Sequence, residues 1–303
     1  WVRWKLYRQL RRSITMSVRE TAPDILIGAS RFKANLISSI KCKAKKIIEC
    51  HVVRENTIFN TGEQLSFPSR VYKALFEFFY FKTIEHNADV IVTLTYKDKI
   101  QWKRAKRVEV IPNFSTMKIS QYSDCKQKRI IAAGRLEWEK GFGRLMEVWR
   151  IVSVRHPDWQ LDLFGEGQMY DTLLYLIRIN KISRVNIHEF TLDISAEYAK
   201  SSICVVTSYF EGFSLVLLEA LRHGVPCIAF DCPYGPESII EDARCGFLVH
   251  NGEIKLFAER LCRLIEDQEL RNQFSAAAIE RSKVFNADII MNQWDKLFKS
   301  LTT

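Results

Sequence analysis

Along almost the whole chain, short apolar runs rich in β-branched residues alternate with longer stretches whose apolar positions recur every three or four residues. A short apolar run bounded by turn residues reads as a buried strand, and a longer periodic stretch reads as a helix with one apolar face. In the first half the pattern predicts strands at residues 24–29, 46–50, 90–94 and 108–111, with helices over 2–21, 32–40, 69–86 and 96–104. In the second half it predicts strands at 129–133, 160–164, 185–189, 203–207, 226–230 and 247–249. Parallel strands need a crossover long enough to hold a helix, so this alternation predicts parallel sheets with helices on both faces. The expected fold class is α/β, with a doubly wound sheet in each half. After Phe285, the spacing of Ile290, Trp294, Leu297 and Leu301 marks a last amphipathic helix that needs a surface to dock on.

A chain of 303 residues is too long for one average domain. The polar stretch 115–128 separates the last strand of the first half from the next buried strand. The expected domains are therefore 1–120 and 121–284, followed by the helix 285–303. Eight cysteines are present without a C-x-x-C pair, most within apolar runs, which reads as buried thiols rather than disulfides or zinc ligands. No eighteen-residue apolar window and no secretory leader is visible, so a cytoplasmic location is expected.

The net charge of +10 is unevenly spread. Residues 1–120 hold 23 Lys and Arg against 10 Asp and Glu, whereas residues 121–303 hold 22 against 25. Clusters such as Lys41, Lys43, Lys45, Lys46 and Lys103, Arg104, Lys106, Arg107 suit an anionic membrane surface or an acidic acceptor. Aromatic residues do not interleave with these clusters, and no nucleic-acid reader motif is present, so nucleic acid is not an expected partner.

Two constellations carry candidate chemistry. The first is Ala133-Gly134-Arg135-Leu136-Glu137-Trp138-Glu139-Lys140-Gly141, directly after a strand. Gly134 permits a sharp turn, and Arg135 and Lys140 are spaced to converge on a diphosphate. In the second, the strand 203–207 leads to Glu211, Gly212, Phe213, Ser214 and Leu215, and then to a helix carrying Glu219. Free N–H groups of Phe213, Ser214 and Leu215 at that helix start would face a phosphate. Glu219 stands among Leu217, Leu218, Ala220 and Leu221, where a carboxylate needs a partner such as a ribose diol. No D-x-D occurs among the 13 Asp, and no His/Asp/Glu cluster has metal-ligand spacing, so no metal and no cofactor are expected.

Together these residues resemble family 4 of the retaining GT-B glycosyltransferases. The likeness rests on Gly134-Arg135-Leu136 with Glu139-Lys140-Gly141, and on Glu211 and Glu219 separated by seven residues. It also rests on Ile111-Pro112-Asn113, Phe164-Gly165-Glu166-Gly167 and Gly246-Phe247-Leu248-Val249. The loop Gly235-Pro236-Glu237-Ser238 departs from the pattern, with Ser238 in the usual Glu position. The resemblance implies two Rossmann-like domains facing a cleft, with the last helix crossing back to the first. It implies a metal-independent, retaining hexosyltransferase that moves a sugar from a nucleoside diphosphate, UDP foremost. The acceptor would be a saccharide or lipid-linked saccharide at the inner membrane face. In that reading Arg135 and Lys140 hold the donor diphosphate, and Glu211 touches the donor sugar. Glu219 binds the ribose, and Gly134 and the backbone around Gly212 line the donor site. Phe190 and Thr191 border the base, and His51, after an N-terminal strand, faces the reacting sugar. Family members open with a strand and a Gly-rich loop, neither of which precedes Asp24, so the first domain is expected to lack about three strands. The chain as given is then expected to transfer poorly. Rival readings are a degenerate nucleotide-sugar-binding protein and a nucleotide-sugar epimerase on the same fold.

Overall fold

The computed structural model describes residues 2–29, 31–51 and 67–302. The chain divides into two contact-dense units, one formed by Trp1–Pro112 with Ile290–Thr303 and the other by Asn113–Ile289.

In the first unit a parallel sheet runs in sequence order through β1 (Ile25–Ala29), β2 (Lys45–Cys50), β3 (Val90–Thr93) and β4 (Val108–Val110). The helices are α1 (Val2–Thr21), α2 (Arg31–Ser38), α3 (Phe67–Asn87) and α4 (Tyr96–Lys99). All four residues of β3 are buried, as a near-continuous apolar strand flanked on both edges requires. Ile48 and Ile91 of the sheet pack against Tyr80, Phe81 and Ile84 of α3. The helix expected over 96–104 is a single turn. Thr95 caps it by accepting from the Asp98 N–H, and Trp102 then turns inward to meet Phe81 edge-on at 5.5 Å. Burying that indole outweighs continuing a helix through Lys103 and Arg104.

The second unit is built on β5 (Arg129–Ala133), β6 (Gln160–Phe164), β7 (Val185–His188), β8 (Ile203–Val206), β9 (Cys227–Asp231) and β10 (Gly246–His250). Their spatial order is β10-β9-β8-β5-β6-β7, all parallel. The strand order therefore reverses between β5 and β8, and in open α/β sheets the crevice beyond the strand ends at such a reversal is where ligands bind. Crossovers are supplied by α5 (Phe142–Arg155), α6 (Tyr170–Ile179), α7 (Ile194–Ala199), α8 (Leu215–Arg222), α9 (Pro236–Ile239), α10 (Ile254–Glu266) and α11 (Gln268–Ser282). Trp149, Phe230, Phe247 and Phe257 fill one continuous core with Ile130, Leu161 and Leu163. The last helix, α12 (Ala287–Thr302), buries Ile290 and Leu297. Its Ser300 hydroxyl accepts a hydrogen bond from Arg107 at 2.9 Å.

All eight cysteines are free thiols and six are buried, as the sequence predicted. Among the described residues no helix is long and apolar enough to cross a membrane.

One buried charge network stiffens the outer half of the second sheet. Asp162 accepts from Arg129, from Asn186 at 2.7 Å, from Gln160 at 3.1 Å and from the His188 ring at 3.1 Å. Arg129 also donates to Glu197 at 2.6 Å. Burial alone would push the Asp162 carboxyl up, but the bonds from Asn186, Arg129 and His188 outweigh it and hold the group below the usual carboxylate range. A depressed folded-state pKa contributes stability above the unfolded value of about 3.9 and loses it as pH falls through the folded value. The urea midpoint is therefore expected to fall as pH drops from about 5 toward 3. Asp162→Asn should lower the midpoint at neutral pH and make its pH dependence shallower. Identical pH slopes for wild type and variant would remove Asp162 from this role.

Candidate functional site

The site grows from the two strands at the reversal. At the end of β5, Gly134 donates its N–H to the Phe164 carbonyl at 3.0 Å, and Leu136 donates to the Glu166 carbonyl at 2.7 Å. These bonds carry the chain over the end of β6. A 3-10 turn over Trp138–Lys140 then closes on Gly141, whose φ of 65° opens α5. Gly141 is required there for a second reason: a Cβ on it would stand 2.0 Å from the carbonyl oxygen of Thr207, just past β8.

The turn after β5 and the turn after β8 are thereby fastened together. Tyr209 donates its N–H to the Glu139 carbonyl at 2.8 Å, and its ring stacks on Trp138 at 4.4 Å. The Thr207 hydroxyl donates to the Gly141 carbonyl at 3.1 Å. Arg144, buried in the first turn of α5, donates to the carbonyls of Thr207 and Ser208 and, at 2.7 Å, to Asn251. Its guanidinium also lies 4.0 Å from the Tyr209 ring centroid. The product of this fastening is an ion pair between residues 71 apart: the Lys140 ammonium sits 2.8 Å from the Glu211 carboxylate. The same Glu211 oxygen accepts from the Ser208 hydroxyl at 2.7 Å.

Arg135 follows a different course. Its guanidinium pairs with Glu139 at 2.8 Å and its side chain is 73% exposed, available to an incoming anion at small desolvation cost. Gly134 and Arg135 border a cavity of about 470 Å³ together with Phe190, Thr191, Tyr198 and Glu219. The structure thus brings five of the sequence-derived residues to one cavity, while Lys140 and Glu211 form their pair outside its lining.

The helix that carries Glu219 is α8. Ser214 stands at its N-cap with no capping bond from its own side chain, so it leaves the first N–H groups of the helix to another acceptor. Phe213 points inward against Phe285 at 5.6 Å, so it offers a ligand backbone rather than side chain, and Leu215 beside it is exposed. Gly212 is half-buried just ahead of them. Burial pushes the Glu219 carboxyl upward, opposed by a hydrogen bond from Tyr198 and by Arg222. Behind Glu211 lies the loop that departs from the family pattern. Tyr234 pairs with Glu211 in an isolated parallel bridge, and a Cβ on Gly235 would stand 2.7 Å from the Glu211 Cβ. Ser238 turns back to donate to the Tyr234 carbonyl at 3.3 Å. That loop braces Glu211 from behind.

His51 lies in the first unit, exposed beyond the end of β2, with its ring 3.3 Å from Glu49. The hydrogen bond to Glu49 raises its pKa against the opposing effect of burial. Among the described residues no group of three or more His, Cys, Asp or Glu side chains is placed to hold a metal ion.

Sequence reasoning passed over Arg144 and Tyr198. Arg144 had a readable signal, a cation followed directly by Leu145 and Met146 on a buried helix face. Tyr198 depends on a helix pairing that no local pattern encodes.

Residues 114–281 match the family model described as glycosyl transferases group 1. The amylovoran biosynthesis glycosyltransferase AmsD of Erwinia amylovora is 33% identical over 226 residues, 69% of this chain and 62% of AmsD. A glycosyltransferase of Haemophilus influenzae, itself uncharacterized, is 30% identical over 300 residues, 96% of this chain and 80% of its own length. Among solved structures, Anabaena HepE in complex with UDP superposes with a TM-score of 0.81 at 18% identity, over 96% of this chain and 82% of HepE. S. aureus TarM, in a complex that includes UDP, gives a TM-score of 0.78 at 21% identity, over 94% of this chain and 58% of TarM. These two structures share the GT-B glycosyltransferase fold with this chain, and the chain spans less than two thirds of AmsD and of TarM. The matched segment runs from before β5 into α11 and contains both turns that meet at Lys140 and Glu211, and on that evidence the chain belongs to the glycosyl transferases group 1 family.

Proposed function

We propose that this chain binds a nucleoside-diphosphate sugar, with UDP as the nucleotide, and that its enzyme transfers the sugar to a saccharide or lipid-linked saccharide with retention at the anomeric carbon. The observation that carries the reading is the Lys140–Glu211 pair, held at 2.8 Å where two strand-end turns meet at the sheet reversal. A cation there would neutralise a departing diphosphate, with the uncapped start of α8 and the exposed Arg135 guanidinium as further positive ends. Glu211, released from Lys140 by the phosphate, would accept from donor sugar hydroxyls. Glu219 would accept from the ribose, with Phe190 and Thr191 beside the base. His51, in the first unit, would serve the acceptor. In this proposal side-chain cations and a helix terminus take the electrostatic role, without a metal ion. The UDP in the HepE and TarM complexes and the amylovoran biosynthesis in the name of AmsD support the donor and the glycan setting.

The test is calorimetry with UDP followed by a donor screen with product analysis. Binding of UDP by wild type and its weakening by roughly tenfold in Arg135→Ala are expected, the size of one charge-assisted contact at an exposed site. Equal binding by wild type and Arg135→Ala would mean that the diphosphate lies elsewhere. An epimerised nucleotide sugar as product would replace transfer by the epimerase reading.

The proposal extends to location, with the basic first half docking on an anionic cytoplasmic membrane face. Sedimentation with vesicles containing phosphatidylglycerol is expected to exceed that with neutral vesicles and to decline with salt. Equal sedimentation would remove this part alone.

A further inference from the structure

Two helices of the second unit are locked together by polar bridges that the donor reading does not use. Ser195 and Tyr198, three apart on α7, share one face of that helix; Glu219 and His223, four apart at the end of α8, share the facing one. The Tyr198 hydroxyl donates to Glu219 Oε2 at 3.4 Å. His223 donates from Nδ1 to the Glu219 backbone carbonyl at 2.7 Å, and its Nε2 meets the Ser195 hydroxyl at 2.7 Å. Burial lowers the pKa of His223 against the opposing bond to the Glu219 carbonyl, and so favours the neutral ring. The Ser195 hydroxyl, which also lies 3.0 Å from the Lys118 carbonyl, ties that ring to α7. The Glu219 carboxylate is thus held from α7, while its backbone carbonyl is held by His223 at the end of its own helix. Tyr198 is fully buried and Glu219 only partly so, yet both line the cavity of about 470 Å³.

We propose that Tyr198 is a positioning residue for nucleotide recognition: its hydroxyl occupies one carboxylate oxygen of Glu219 and turns the other into the cavity, where it accepts from the ribose diol. A carboxylate carried on a flexible stem accepts two ribose hydroxyls well only when its plane is fixed beforehand. A phenol on a buried ring provides that constraint with little side-chain freedom to lose. Tyr198 also acts on the charge of Glu219. Burial raises the Glu219 pKa, and the hydrogen bond from Tyr198 opposes this rise, keeping the acceptor ionised to lower pH.

The inference rests on the nucleotide-binding reading, and one experiment separates the two. Calorimetry on the full chain compares UDP with 2′,3′-dideoxyuridine diphosphate across pH 5–8, for wild type, Tyr198→Phe, Glu219→Ala and the double variant. Wild type is expected to prefer UDP, and Tyr198→Phe to shrink that preference by on the order of tenfold while binding of the dideoxy nucleotide stays unchanged. The acidic limb of UDP binding should move to higher pH in Tyr198→Phe, because the carboxylate loses a donor that favoured its charged form. In the Glu219→Ala background the Tyr198 substitution should have no further effect. Should Tyr198→Phe weaken both nucleotides equally, or keep the wild-type preference and pH limb, Tyr198 is a packing residue and the inference falls while nucleotide binding stands. If wild type binds neither nucleotide, both the inference and the reading beneath it fall.

Discussion

Glu211→Gln is expected to separate nucleotide binding from sugar transfer. In the structure the Lys140 ammonium is engaged by the Glu211 carboxylate, so an incoming diphosphate competes with an internal anion for the same cation. Glutamine keeps the shape and can still meet the Ser208 hydroxyl, but it carries no charge to hold Lys140. UDP should therefore bind Glu211→Gln at least as tightly as wild type. Transfer should fall by on the order of 10²–10³, the usual loss when an oriented polar group is removed from the reacting centre. Lys140→Ala should act in the opposite sense on binding, weakening UDP by on the order of 100-fold, because it removes the cation and leaves the largely buried Glu211 facing the phosphate. Binding measured by calorimetry and turnover measured with a UDP-sugar would give the two readouts. Parallel loss of UDP binding in both variants would show that Glu211 serves only as the structural counter-ion of Lys140.

The second large effect concerns a single methyl group. Gly141→Ala would place a Cβ 2.0 Å from the Thr207 carbonyl oxygen and 2.9 Å from its carbon, both backbone atoms that no rotamer change can move. The φ of 65° at this position adds the left-handed penalty of about 1 kcal/mol for alanine. Relief requires the turn after β5 to separate from the turn after β8, breaking the bonds that Thr207, Tyr209 and Arg144 make across the join. A loss of about 3–5 kcal/mol is expected, with UDP binding lost alongside it. Gly143→Ala, two residues on, is the matched control: a Cβ there meets nothing within 4 Å. It lies in the first turn of α5, so alanine should stabilise by about 0.5–1 kcal/mol. Chemical denaturation of the two variants gives the comparison, and equal midpoints would show that the join between the turns is not tight.

Much of this arrangement was legible in the chain itself, and the reason is physical. Strands of a parallel sheet are covered on both faces, so 130–133 and 203–206 appear as unbroken apolar runs, and the structure places β5 and β8 there. Predicted strands 46–50, 90–94 and 108–111 likewise match β2, β3 and β4 to within a residue at each end. The order of the strands was not legible. That β8 rather than β6 lies on the inner side of β5 depends on which face each crossover helix takes, and apolar runs do not record it. The gathering of Gly134, Arg135, Phe190, Thr191 and Glu219 around one cavity follows from that order. Tyr198 stayed hidden for a related reason: it is an ordinary buried residue on its own helix, and only the contact of α7 with α8 joins it to Glu219. The helix over 96–104 was overpredicted because local propensity cannot anticipate the burial of Trp102.

The pairing of β5 with β8 also has a kinetic meaning. The two strands touch in the finished sheet, yet β6, β7 and their crossovers lie between them along the chain. Contacts of such high sequence separation form only after the intervening chain has been closed into a loop, a step that slows folding. The join between the two turns should therefore form late. A nucleoside diphosphate bound there would leave the refolding rate almost unchanged and would act by slowing unfolding, so that its presence prolongs the life of the native state.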